Sequence, residues 1–336
     1  MSDTAIVILN WNGEKFLKRY LKPLCASCEN LSSFVVVADN ASTDGSVEWL
    51  KENFPQVKLL EFDQNYGFTG GYNRALKQIE ADYYVIINSD VLVTDNWLSP
   101  LLAFMDENPD VAACQPKILS ESNREFFEYA GACGGFIDKF GYPFCRGRIL
   151  SNIEKDSGQY DDPEQIFWAS GACMVVRSSV FHHLGGFDDA FFAHMEEIDL
   201  CWRIKLLGYQ IWAVPSSVVY HVGGGTLPNN SPFKLYLNYR NNLLMLYKNL
   251  PHSVRWSRIF IRKTLDLASA MVYLVSGKMD SFKAVLKAHK DYSKMKHDLE
   301  TSSFDREQNK IGFYKGSIVL RFFLSGKKLI FSKLKL

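Results

Sequence analysis

Tyr83-Tyr84-Val85-Ile86-Ile87-Asn88-Ser89-Asp90 is a run of five aromatic or apolar residues cut off by three polar ones. A short apolar run bounded by polar residues reads as a strand buried on both faces of a parallel sheet. Open α/β sheets take their ligands at the C-terminal ends of such strands. A carboxylate there, Asp90, is a hard oxygen donor of the kind that holds a divalent cation against a diphosphate. Upstream, Ala5–Leu9, Phe34–Ala38 and Val57–Phe62 are further apolar runs. Between them, helical spacing is read over Glu14–Leu24 and Val47–Asn53, and a glycine-rich loop, 65–73, opens a helix over Ala75–Glu80. This β-α alternation predicts right-handed crossovers and a parallel sheet flanked by helices.

Length and composition bound the answer. The 336 residues, 47% apolar, are ample for a large core in one or two domains. The net charge of +1 conceals an asymmetry. Residues 251–336 carry 18 Lys or Arg against 7 Asp or Glu, a balance of +11, and residues 1–250 carry 20 against 30, a balance of −10. This predicts two parts, 1–250 and a basic extension, 251–336. Seven scattered cysteines fit reduced thiols, and the lone pair Cys25 and Cys28 has no second pair to make a zinc site. No signal peptide or membrane-spanning run is read, so a cytoplasmic protein is expected. A dinucleotide fingerprint would need G-x-G-x-x-G after the first strand, but Leu9-Asn10-Trp11-Asn12-Gly13 has one glycine. A P-loop lacks its Gly-Lys-Ser/Thr. What remains is a set of polar strand ends, Asn10, Asp39, Asn65 and Asp90, suited to the edges of a base and ribose.

Four stretches carry a more specific signal. They are Ala5–Asn12, Val37-Ala38-Asp39-Asn40-Ala41-Ser42-Thr43-Asp44-Gly45-Ser46, Asn65-Tyr66-Gly67-Phe68-Thr69-Gly70-Gly71-Tyr72-Asn73 and Asn88-Ser89-Asp90. In order and spacing they resemble family 2 glycosyltransferases with the GT-A fold, a Rossmann-like, mostly parallel α/β sheet. The resemblance extends over residues 5–245 and to bacterial rhamnosyltransferase-like enzymes of surface polysaccharide synthesis. It implies an inverting transfer from a UDP- or dTDP-linked sugar to a glycan or lipid-linked acceptor. It also implies that Asn10, Trp11, Asp39, Asn65, Asn73 and Ser89 line the nucleotide pocket. Asp90 matches the last acid of the family's D-x-D motif. Asn88 stands at the first position, leaving one carboxylate for the implied Mg²⁺ or Mn²⁺.

Farther on, a helix is read over Trp97–Met105, and a strand ending in proline over Val111–Pro116. Ile166–Val176, including Trp168, reads as a strand bent at Gly171, and the polar 151–164 reads equally as a mobile loop or a solvated linker. Glu196, Glu197 and Asp199 crowd three acids into four positions at the start of a helix. Crowded carboxylates raise one another's pKa, which suits a general base. The segment resembles the family's Glu-Asp-x-Asp motif, which makes Glu197 the base, about 1.5 Å farther out than the usual Asp, with Glu196 as the alternative. Asp199, Arg203 and Trp168 are read as acceptor or phosphate contacts. His221, at a strand end before Gly223–Gly225, is implied to share the cation with Asp90. Arg240, in a helix over Phe233–Leu250, is either a diphosphate ligand or an ordinary ion pair.

The basic, mainly helical 251–336 reads as a membrane-surface element at the inner face of the plasma membrane or as an oligomer contact. It matches no nucleic-acid module. Two other function classes compete with this reading. A nucleotidyltransferase would need a basic glycine-rich loop after the first strand, and a non-catalytic scaffold would keep the fold without transfer.

Overall fold

The computed structural model of the chain describes residues 3–28, 31–223, 231–299, 301 and 311–334. Its first half runs β1 (Thr4–Asn10), α1 (Glu14–Ala26), β2 (Ser33–Asp39), α2 (Ser46–Asn53), β3 (Lys58–Glu61), α3 (Gly67–Leu76), β4 (Tyr83–Ile87), β5 (Val91–Val93), α4 (Leu98–Glu107) and β6 (Val111–Ser120). β1 pairs in parallel with both β2 and β4, and β2 with β3. Successive strand side chains point to opposite faces. Tyr84 and Ile86 therefore enter one core layer, and Tyr83, Val85 and Ile87 the other.

The second half adds β7 (Gly135–Asp138), β8 (Pro143–Cys145), β9 (Arg148–Ile149), β10 (Asn152–Ile153), β11 (Glu164–Gln165), β12 (Cys173–Arg177), α5 (Ser178–His183), α6 (Glu196–Leu206) and β13 (Gln210–His221). The main sheet has the order β11-β13-β6-β12-β4-β1-β2-β3, with β5 on β13. It is mixed: β12 lies antiparallel between β4 and β6.

Three expected boundaries shift for local reasons. The glycine-rich 65–73 is largely helix, since α3 begins at Gly67. Its glycines are needed for close approach: a β-carbon at Gly71 would overlap Leu9, and one at Gly67, whose φ is +71°, would overlap Phe192. The strand expected to stop at Pro116 continues to Ser120. There the register of β13 shifts between Val214 and Val218, opposite Pro116 and Lys117, so a bulge falls where proline has no N–H to give. Of the strand expected over 166–176, only β12 is regular, because the preceding residues leave the main sheet to bond Gly135.

The C-terminal part comprises α7 (Pro232–Asn249), α8 (His252–Val275), α9 (Met279–Met295), β14 (Phe313–Tyr314) and α10 (Ile318–Leu324). Packing crosses the expected division at residue 250. A buried network joins α7, α8 and α9: Arg262 bonds Asp266 at 2.7 Å and also Asn242, and His289 lies 3.2 Å from Asp266. β14 pairs with β7 in a second small sheet, and Phe331 packs on Phe136 at 4.8 Å. All seven cysteines are free thiols.

Candidate active site

Strand order reverses between β1 and β4, and the polar groups gather at that switch. Asn10 donates to Asp39 at 2.9 Å and to Ser42 at 3.1 Å, and Asp39 accepts the Ser42 N–H at 2.8 Å. Gly13 lets the first loop close on its neighbours: a β-carbon there would overlap Asn10 and come within 3.3 Å of the Ser89 hydroxyl. Asn65 accepts from Asn40 at 2.9 Å and from the Gly67 N–H at 2.8 Å, which holds the start of α3. Trp11 is 40% exposed on the same rim. The Asn10 side-chain oxygen, Oδ1, is buried without a partner among the described residues.

The end of β13 meets the end of β4. His221 Nε2 lies 3.1 Å from Asp90 Oδ1 and 3.4 Å from the Asn88 amide. On the other side of the ring, Nδ1 faces Glu128 at 3.4 Å without a well-aligned hydrogen bond. Burial opposes a charged imidazole, but the Asp90 and Glu128 carboxylates outweigh it and push His221 up to about 10. Gly224 and Gly225, of the expected glycine run, lie outside the described residues. No group of three His, Cys, Asp or Glu among the described residues is arranged to hold a cation. A cation that displaced the His221 proton would meet two converging donors, Asp90 and His221, and take its other ligands from a diphosphate and water. A carboxylate behind the histidine is the usual support for an imidazole ligand.

The three acids that open α6 occupy different states. Asp199 is fully buried and accepts from Arg203 at 2.8 Å, Lys248 at 3.0 Å and Asn249 at 2.7 Å. Burial would raise it, yet the Arg203 and Lys248 charges hold it below the usual carboxylate range. Glu196 is raised well above that range by burial and by the neighbouring Glu197. Burial lifts Glu197 to about 7 against the pull of backbone N–H groups at the helix start. One oxygen of each glutamate is buried with no partner among the described residues. A β-carbon on Gly171 would stand 3.7 Å from Glu197 and 3.3 Å from Phe68. The next residue, Ala172, accepts the Asn88 N–H at 3.0 Å. A short backbone path thus joins Glu197 to the end of β4.

The segment leading into α6 is strained. Phe192, His194 and Met195 have φ of 64°, 68° and 74°, each unfavourable by roughly 1–2 kcal/mol for a residue with a side chain. Clamps on both sides hold it. Asn73 bonds the Phe187 N–H at 2.9 Å, the Phe187 carbonyl at 2.8 Å and Asp189 at 2.8 Å. Asn241 donates to the carbonyls of Phe191, Ala193 and His194 at 2.9, 2.8 and 2.7 Å. Arg240 donates to Phe191 at 2.9 Å and Ala190 at 3.2 Å. Arg203 reaches the carbonyls of Leu184 at 3.0 Å and Gly186 at 2.9 Å.

These contacts revise several expectations. Arg240, Arg203 and Asp199 are committed to fixing the loop and its helices, so they do not present free donors or acceptors to phosphate or acceptor. Asn73 is a loop clamp. Trp168 is buried against Gly135 and donates to the Phe136 carbonyl at 2.9 Å, so it is a core residue with no face left for a sugar. Sequence reasoning passed over Glu128 and Asn241. Glu128 sits in an aromatic- and glycine-rich stretch with no motif around it. Asn241 left one trace, its place in a polar Arg-Asn-Asn run at a helical spacing that buries it.

Comparison with known proteins bears on the family and the fold. The family model "Glycosyl transferase family 2" matches residues 5–185. An N-acetylglucosaminyl-diphospho-decaprenol L-rhamnosyltransferase of Mycobacterium tuberculosis is 26% identical over 282 residues, 79% of this chain and 90% of the relative. Rhamnosyltransferase WbbL of Escherichia coli is 25% identical over 225 residues, 64% of this chain and 82% of the relative. Among solved structures, GalNAc-T7 with UDP, GalNAc and Mn²⁺ superposes with a TM-score of 0.58 at 15% identity, over 74% of this chain and 48% of that one. The mannosyltransferase PcManGT of Pyrobaculum calidifontis, in complex with GDP-Man and Mn²⁺, superposes at 0.53 and 15% identity, over 87% of this chain and 75% of that one. The fold is GT-A, and the chain belongs to glycosyl transferase family 2 and is a glycosyltransferase.

Proposed function

We propose that the chain transfers a deoxyhexose, L-rhamnose in the first instance, from a UDP- or dTDP-linked donor to a hydroxyl of a lipid-linked glycan. The setting is cell-surface polysaccharide synthesis at the cytoplasmic face of a membrane. The relatives' names support the sugar and the lipid-linked acceptor. The observation that carries the reaction is the half-buried Glu197, lifted to about 7, one oxygen unpaired, a short backbone path from the end of β4. At neutral pH such a carboxylate is partly ionised and basic enough to take a proton. Glu196, more deeply buried and raised by burial and by its neighbour Glu197, is the weaker candidate.

In this reading the base and ribose rest on Asn10, Trp11, Asp39, Asn65 and Ser89. Asp90 and His221 would hold a divalent cation, which when bound offsets charge on the leaving diphosphate. Glu197 accepts the acceptor's hydroxyl proton as that oxygen bonds to the anomeric carbon. The bond from that carbon to the diphosphate oxygen breaks on the opposite side, the nucleotide diphosphate leaves with the electron pair, and the configuration inverts. Asn73, Arg240 and Asn241 position the base without touching the sugar. The test is transfer from dTDP-rhamnose or UDP-sugars to a polyprenyl-diphosphate-linked N-acetylglucosamine, with the anomeric configuration of the product read by NMR. Full-rate transfer by Glu197→Gln, or retention of configuration, would overturn the assignment.

A further inference from the structure

α8 is buried on one side by α7 and α9 and leaves its other side open. Trp256, Phe260, Leu267, Met271 and Val275 follow one another at steps of four, seven, four and four, which is one helical face. All are exposed, Phe260 at 73% and Val275 at 79%. No helix among the described residues is long and apolar enough to cross a membrane, so this stripe suits a surface contact.

At the N-terminal end of the stripe, a groove of about 480 Å³ lies between α8 and α9, lined by Trp256, Phe260, Lys263, Tyr292, Ser293 and Lys296 among others. Its chemistry is specific. Lys263 and Lys296 reach the groove from opposite helices, 5.9 Å from the Tyr292 ring and 5.2 Å from the Trp256 ring. Neither ammonium makes an ion pair among the described residues. Two cations with no counter-charge match a phosphate. The aromatic walls and the apolar stripe beyond them match hydrocarbon and the headgroup boundary.

We propose that this groove binds the phosphate of an anionic bilayer phospholipid, with Trp256 and Phe260 seated in the membrane interface. Charge selects this occupant over a two-fold dimer through the same face: residues 251–336 carry a balance of +11, and that basic surface would meet itself. The inference rests on the reading that the chain works at a membrane surface, and it names the site of contact.

Co-sedimentation of the full chain with phosphatidylcholine vesicles, with and without phosphatidylglycerol, tests it. The wild type binds the phosphatidylglycerol vesicles. Lys263→Glu with Lys296→Glu weakens that binding at least about tenfold, whereas the double Lys→Arg variant retains it. Thermal melts confirm that each variant is folded, and transfer to a short soluble acceptor is unchanged in the charge-reversed protein. Wild-type binding with no loss in the charge-reversed variant would remove the groove and leave the membrane reading standing. No binding to either vesicle would remove both. Inorganic phosphate protection without vesicle binding, or a dimer in ultracentrifugation dispersed by Phe260→Ser, would replace the phospholipid by a free anion or a second copy.

Discussion

The two sides of the cleft are built differently. On the proposed nucleotide side, Asn10, Asp39, Ser42 and Asn65 bond to groups at neighbouring strand ends, and the backbone there follows from parallel pairing. On the side of the base, residues 187–195 have no regular structure beyond one short turn. They keep a strained path because Asn73 reaches them from α3, and Arg240 and Asn241 from α7. One side is held by local pairing and the other by clamps distant in sequence. A substitution on the first should act mainly on donor affinity, and one on the second mainly on turnover.

The sharpest break is Glu197→Gln, which keeps shape and removes the base; kcat should fall by on the order of 10²–10⁴ with donor KM nearly unchanged. Asp90→Ala should lower kcat/KM by about 10²–10³, from the loss of electrostatic support for the leaving group. Its activity should also no longer respond to added Mg²⁺ or Mn²⁺. Asn241→Ala takes the side-chain donor from the Ala193 and His194 carbonyls, each worth about 1–3 kcal/mol if it stays buried, while the Phe191 carbonyl keeps Arg240. Urea unfolding should show a loss of about 2–4 kcal/mol, and steady-state kinetics a larger drop in kcat than change in donor KM. An equal effect on both sides of the cleft would erase the contrast.

A pH profile sharpens it further. With Glu197 at about 7, kcat/KM should rise with pH through 7 and level off above it, and Glu197→Gln should abolish the step. The stability effect runs the other way. Between 4.5, the ordinary value for a glutamate, and about 7, the unfolded chain releases this proton before the folded chain does. Stability therefore falls as pH rises across that window. Asp199 has the opposite sign: its depressed pKa contributes stability above the usual carboxylate range, lost as pH falls through the folded value. The smallest effect is expected at Trp11, a partly exposed ring on the rim. Trp11→Ala should raise donor KM about fivefold by loss of stacking, read by titration of the nucleotide sugar.

Much of the rim formed by the ends of β1, β2 and β4 was legible in the chain because it depends on short-range order. Apolar runs such as Ala5–Leu9 and Tyr83–Ile87 specify buried strands, and the polar residue ending each run must then stand at the rim. The acids of α6 were legible as a cluster, though not which of them carries charge: Asp199 differs from Glu196 and Glu197 through Lys248 and Asn249, some 50 positions away. The roles of Arg240 and Trp168 were misjudged for the same reason. A guanidinium or an indole has one chemistry in the sequence, and its neighbours decide whether that chemistry faces a ligand or a backbone carbonyl.

By itself, then, the sequence determined the strand-and-helix alternation, the ring of polar strand ends and the acidic helix start, because periodicity and local polarity are properties of neighbouring residues. Only the tertiary structure decided that β12 runs antiparallel, that Glu128 stands behind His221, and that α7 grips the loop ahead of Glu197. Those facts are contacts between segments far apart in the chain, where the winning partner is the one that satisfies a buried donor or charge.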